Sequence, residues 1–150
     1  MSEVNIQASW VSGLQFVATG EGSNASLVLD GAPEHGGKGA GIRPMEALLC
    51  SLAGCTGMDV ISILKKKRQK ITDFQINING ERAEEHPMRY TSIHIEFVAR
   101  GNNVSLEALQ RAAELSQTKY CGTAASIGVP IDYTCRVEQD ENITEVDKGA

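Results

Sequence analysis

The sequence predicts an α+β domain with two helices packed on antiparallel sheet. Three observations lead there: apolar and polar residues alternate with period two at several places, a proline-started apolar stretch follows Arg43, and an amphipathic stretch follows Ser105. A chain of 150 residues, 41% apolar and 22% charged, has the size and composition of one globular domain. Such a chain can bury roughly 70% of its unfolded surface, so a single domain over residues 1–150 is expected.

Val4, Ile6, Ala8 and Trp10 alternate with Asn5, Gln7 and Ser9, which predicts a half-buried strand. Ser12 and Gly13 make a turn, and residues 14–19 and 25–30 read as two further strands of an antiparallel meander. Residues 31–41 carry five glycines and Pro33, a density of breakers that predicts a mobile loop without regular structure. Pro44 suits the first turn of a helix running to about Lys67. Its apolar residues, among them Met45, Leu48, Leu49, Leu52, Met58, Val60 and Leu64, are spread around most of the circumference. A helix of that kind is buried on nearly every side, and in so short a chain a subunit interface is the economical explanation. Phe74, Ile76 and Ile78, then Ile93, Ile95 and Phe97, mark two more strands. Ser105 caps a helix carrying Leu106, Leu109, Ala112, Ala113 and Leu115 that ends near Lys119. A last strand puts Ile131, Tyr133, Cys135 and Val137 on one face, and the acidic tail from Gln139 onward is expected to be loose.

The net charge of -5 argues against a general nucleic-acid binder, since phosphate neutralisation needs clustered cations. The one basic run, Lys65 to Arg68 with Lys70, closes the long helix, where cations complement the helix dipole. The first residues lack the charge and apolar run of a secretory signal, and no segment approaches about 20 continuous apolar residues. A cytoplasmic protein is expected, with no membrane partner and with cysteines reduced unless they are catalytic. Glu81, Arg82, Glu84, Glu85, His86 and Pro87 read as a solvated connection between strands.

The cysteines carry the chemistry. No Cys-x-x-Cys occurs and there are three histidines, so neither a structural zinc site nor a thioredoxin-type motif is expected. Cys135, on the apolar face of its strand, reads as core, and Cys50 as a small apolar filler of the helix. Cys55 is flanked by Gly54, Thr56 and Gly57, small enough to admit a peroxide or a second thiol, with Ser51 and Asp59 one turn away on either side. An apolar helix raises a thiol pKa, so a reactive Cys55 needs a cation or a network of donors. Arg43, with Glu46 to orient it, is the candidate supplier. If folding brings Cys121 to Cys55, the pair can run a thiol, sulfenate and disulfide cycle with no metal or organic cofactor.

The run from Arg43-Pro44-Met45-Glu46-Ala47-Leu48-Leu49 through Leu52-Ala53-Gly54-Cys55-Thr56-Gly57-Met58-Asp59-Val60, then Gly80-Glu81-Arg82-Ala83-Glu84-Glu85-His86-Pro87, and finally Leu115-Ser116 with Lys119-Tyr120-Cys121, resembles the OsmC/Ohr superfamily. These are the osmotically inducible and organic hydroperoxide resistance proteins, and the likeness is greatest to a less characterised bacterial OsmC-like branch. It spans roughly residues 4–137. The resemblance implies curved antiparallel sheets wrapped around two central helices and an intertwined homodimer with active sites at its interface. It also implies that Cys55 attacks an organic hydroperoxide, that Cys121 resolves the sulfenate, and that a small dithiol or a lipoyl protein reduces the resulting disulfide. In the family an arginine and a glutamate stabilise the thiolate. Here Pro44 is followed by Met45, and Glu46 falls one position later, a rotation of about 100° on a helix. No arginine precedes Arg43, so either Arg43 or Arg82 of the partner subunit is the candidate cation. Met45, Leu48 and Leu52 are the expected apolar lining for a bulky alkyl hydroperoxide. A redox sensor or small-molecule binder that kept the thiols without turnover is the alternative, and a purely structural dimer a third.

Overall fold

The structure, a computed structural model, describes residues 2–140. The chain divides into two compact units, Met1–Leu48 and Leu49–Ala150.

In the first unit, β1 (Ile6–Ser12), β2 (Gln15–Gly20) and β3 (Ser26–Leu29) form the expected antiparallel meander in the order β1-β2-β3. Gly13 takes a φ of +54° in the first turn, where a side chain would be strained, and Trp10 Nε1–H donates to its carbonyl at 2.9 Å. The alternation predicted one buried face on β1, but Ile6 and Trp10 are 62% and 66% exposed in the single chain. A three-stranded meander has no second layer of its own, and period two marks a face suited to burial without saying what covers it.

The loop after β3 departs from the expectation of a mobile, irregular segment. It contains a 3₁₀ turn, Pro33–His35, and is knotted around the buried Asp30. The Asp30 carboxylate accepts the N–H groups of Gly31, Lys38 and Ala40 at 2.7, 3.2 and 3.1 Å. Those donors, Ala40 foremost, hold it below the usual carboxylate range against the opposing effect of burial. The glycines supply the turns; a single carboxylate supplies the order.

Helix α1 (Pro44–Lys66) begins as predicted, with Glu46 accepting the Arg43 backbone N–H at 3.1 Å in the manner of a capping box. Along it Leu52, Thr56, Val60 and Leu64 recur at every fourth residue and are fully buried. In the single chain this stripe covers only part of the circumference, and Met58 on another face is 75% exposed. By length and composition α1 would pass for a membrane span, yet its buried stripe is part of a protein core and Glu46 and Asp59 interrupt its apolar sequence.

In the second unit, β4 (Lys70–Arg82) and β5 (Tyr90–Asn102) form a long antiparallel hairpin. Ile93, Ile95, Phe97 and Ala99 of β5 are buried, with the Phe74 and Tyr133 rings at 6.4 and 6.0 Å from that of Phe97. Gly57 gives α1 room over this sheet, since a Cβ there would come within 2.9 Å of Ile76 Cδ1.

The third strand, β6 (Ile131–Gln139), corrects the all-antiparallel expectation: it pairs with β5 in parallel, on the side away from β4. A parallel pair requires a crossover rather than a hairpin. Here the crossover carries α2 (Leu106–Leu115), a π-helical turn (Ser116–Tyr120) and α3 (Gly122–Ser126). The predicted cap holds, with Ser105 Oγ accepting Ala108 N–H at 3.2 Å. Arg82 Nε–H donates to the Met88 carbonyl at 2.7 Å, tying the charged connection between β4 and β5.

Gln139 is not loose: it belongs to β6, and its side-chain amide accepts from Val104 N–H and donates to the Val104 carbonyl, at 3.2 and 3.1 Å. Residues 141–150, the rest of the predicted tail, lie outside the described residues. Two cysteines also differ from expectation. Cys50 is exposed rather than a filler, because it falls outside the buried stripe of α1, and Cys135 is half-buried.

Candidate functional site

Cys55 and Asp59 lie one turn apart on α1 and therefore share a face. The crossover brings Cys121 to that face. The two sulfurs and a carboxylate oxygen of Asp59 all lie within 4.8 Å of one another, and the two thiols are hydrogen-bonded. All four cysteines are free, so the pair stands in its dithiol form. The π turn accounts for the placement: Cys121 N–H donates to the Ser116 carbonyl five residues back at 2.7 Å, and the extra residue in the turn swings Cys121 inward. Cys121 then serves as N-cap of α3, its sulfur accepting Ala124 N–H at 3.3 Å, and is only 4% exposed.

The two thiols are electrostatically unlike. Cys55 accepts hydrogen bonds from the backbone N–H and then the hydroxyl of Thr123, and these donors lower its pKa below the ordinary thiol value. Burial and the Asp59 carboxylate oppose the shift, and the Cys121 thiol supports it. Cys121 moves the other way, to about 11, chiefly through burial and in spite of Ala124 N–H. A half-buried thiol with a pKa below the ordinary value thus faces a buried thiol that keeps its proton.

A chain of buried polar groups holds Asp59 in place. Ser116 donates to Asp59 Oδ2 at 2.8 Å, and because a carboxylate only accepts, the single Ser116 proton is committed there. The 2.7 Å contact between Thr56 and Ser116 is then a donation from Thr56, whose oxygen in turn accepts Gln117 Nε2–H at 2.9 Å. Thr56 and Ser116 are fully buried, and each finds its partner inside this chain. Asp59 also borders a depression of about 370 Å³ walled by Ile63, Leu115 and Tyr120 and rimmed by Lys66 and Lys67.

Arg43 and Glu46 belong to the first unit, paired with each other at 3.4 Å and about half exposed. Met45 is half-buried and Leu48 is 39% exposed, whereas Leu52 is wholly in the core. Sequence reasoning missed Thr123, Thr56, Ser116 and Gln117. The one signal available for Thr123 was its position two residues after Cys121. A second depression, of about 380 Å³ against His94, shares no residue with the thiols; there Asp132 Oδ1 lies 2.7 Å from His94 Nδ1 on an open sheet face.

Fold and site together define an α+β protein whose helices, packed on a mixed sheet, present two unequal thiols to each other. Residues 36–136 match the OsmC-like protein family, across both units, and the chain belongs to that family. It is 34% identical over 128 residues to protein YhfA of Escherichia coli, covering 85% of this chain and 92% of that one. Among solved structures it is similar to a hypothetical protein from Aquifex aeolicus, with a TM-score of 0.82 and 34% identity over 94% of this chain and 100% of that one. The fold extends to an organic hydroperoxide resistance protein OsmC from Legionella pneumophila, at a TM-score of 0.65 and 12% identity, covering 92% of this chain and 98% of that one.

Proposed function

We propose that this chain is a cysteine-based peroxidase that reduces organic hydroperoxides. The observation that carries the reading is the unequal thiol pair: Cys55, held as the lower-pKa thiol by Thr123, within 4.8 Å of a protonated Cys121. The Cys55 thiolate attacks the terminal peroxide oxygen, the O–O bond breaks, and with one proton the alcohol leaves. The sulfenate that remains on Cys55 is then attacked by Cys121, forming the disulfide and releasing water. A small dithiol or a lipoyl protein returns both sulfurs to thiols by exchange. On this reading residues 1–150 act as one cytoplasmic domain in a homodimer, with α1 at the interface. Met45 and Leu48 contribute apolar lining that favours bulky peroxides; equal rates on hydrogen peroxide would contradict that selectivity. Leu52 acts through packing. The Thr123 donors carry the activation, and Arg43 with Glu46 adds to it in the dimer.

The test is the free-thiol count and intact mass of reduced protein after one equivalent of an alkyl hydroperoxide. Two thiols should be lost and map to a Cys55–Cys121 bond, with Cys50 and Cys135 intact. Replacing Cys55 by serine should abolish turnover, and Cys121→Ser should stop the cycle at the Cys55 sulfenate. Undiminished turnover in the Cys55 variant rules the mechanism out. A second reading, a redox sensor, is favoured by one observation: the groups that lower the Cys55 pKa are neutral donors, with no arginine among them. It predicts disulfide formation without sustained turnover when a dithiol is supplied.

A further inference from the structure

We propose that Cys55, Asp59 and Cys121 of the reduced protein form a three-ligand site for a thiophilic divalent cation, Zn²⁺, with a fourth position open to solvent. Two sulfurs and one carboxylate oxygen lie within 4.8 Å of one another, a donor set completed when the crossover brings Cys121 to the Cys55–Asp59 face of α1. In a tetrahedral zinc site, neighbouring donor atoms stand about 3.4–3.8 Å apart, so the group needs to close by at most about 1.4 Å. The two thiolates select zinc over magnesium or calcium, which prefer all-oxygen shells.

The surroundings are those of a held ligand set. Ser116 fixes one oxygen of Asp59 at 2.8 Å, at the end of the hydrogen-bond chain from Gln117 and Thr56. Ala124 N–H at 3.3 Å orients the Cys121 sulfur, and Thr123 donates to that of Cys55. Such outer partners orient ligands and support thiolate charge in metal sites. Binding of a divalent cation displaces the Cys121 proton, and the metal's charge offsets the repulsion among the two thiolates and the carboxylate that it gathers. Three protein ligands leave the fourth position for water or an incoming thiol.

Metal and disulfide compete for the same two sulfurs. This coupling rests on the peroxidase reading; the metal site does not. When a hydroperoxide oxidises the loaded site, each thiolate gives up one electron, the O–O bond breaks, and two protons are taken up to give alcohol and water. The S–S bond forms and Zn²⁺ departs unchanged.

The full chain, kept reduced with a phosphine rather than a competing dithiol, is titrated with ZnCl₂ against a chromophoric chelator, and with Co²⁺ for its thiolate charge-transfer band. One metal per chain is expected. Cys55→Ser and Cys121→Ser should each weaken binding by more than about 100-fold, and Asp59→Asn by at least about 10-fold with both thiols still titratable, taking the ~10–100-fold cost of losing an outer partner as the floor. No binding, or an affinity indifferent to Asp59→Asn, overturns the site. Peroxide turnover of the metal-free chain is measured alongside. Turnover without metal binding sinks the zinc site alone, and metal binding without turnover supports the site while sinking the peroxidase. Zinc retained through complete Cys55–Cys121 oxidation overturns the competition, whereas stoichiometric release supports it.

Discussion

Thr123 lowers the pKa of Cys55 from a neighbouring helix, through its backbone N–H and its hydroxyl. Thr123→Val keeps the first donor and removes the second. Hydrogen bonds to charged groups contribute about 1.5–3 kcal/mol, and one pKa unit corresponds to about 1.4 kcal/mol. The Cys55 pKa should therefore rise, and its alkylation by iodoacetamide at neutral pH should slow several-fold. Arg43→Ala should move the titration less, since the shift at Cys55 in the single chain is set by Thr123, Cys121, Asp59 and burial. A larger effect from Arg43 than from Thr123 would reverse this ranking. Cys121 carries a separate signature in stability. Its pKa is 9.0 as an ordinary thiol and about 11 when folded, so between those pH values the folded chain keeps a proton that the unfolded chain has lost. Its contribution to stability is whole below pH 9 and fades as pH rises through 11. Burial pushes the Cys135 thiol up as well, in the same sense. Urea midpoints should fall over that window, and less steeply in Cys121→Ala.

At the scale of elements, the join between α1 and the crossover rests on Thr56, a hydroxyl within an otherwise apolar buried stripe. Thr56→Val preserves shape and removes both hydrogen bonds, leaving Gln117 and Ser116 short of a partner. The cost should be about 1–3 kcal/mol in urea denaturation, the usual penalty for stranding buried polar groups. The Ser116 hydroxyl, freed of its donor, should also hold Asp59 less firmly, so the accessibility of Cys55 to alkylation should change together with stability. A stability loss below about 0.5 kcal/mol would mean that water replaces Thr56 readily.

For the whole molecule, the exposed apolar residues are the main clue to assembly. Ile6 and Trp10 on β1 and Met58 on α1 are 62%, 66% and 75% exposed in a chain whose sequence patterns those elements for burial. If α1 forms the proposed dimer interface, Met58→Glu places a charge in it and should give a monomer by sedimentation velocity. Unchanged mass with Met58→Glu would remove α1 from the interface.

Much of this protein was legible in its residues. Period two located the strands, Pro44 and Ser105 located the starts of α1 and α2, and the ordered segments around Cys55 and Cys121 carried the family resemblance, because helix caps and pleat alternation are local rules written in neighbouring side chains. The parallel pairing of β6 was not legible, because strand direction depends on the path of the crossover rather than on the alternation within the strand. The Asp30 knot was missed for a related reason: a glycine-rich segment reads as loose until a buried acceptor gathers its N–H groups. The sequence by itself determined the α+β class, the helices and the two thiols worth watching. Only the tertiary structure decided that Thr123 lowers the pKa of one thiol, that burial raises that of the other, and that Asp59 stands beside both, since pKa shifts and ligand sets arise from distances between residues far apart in the chain.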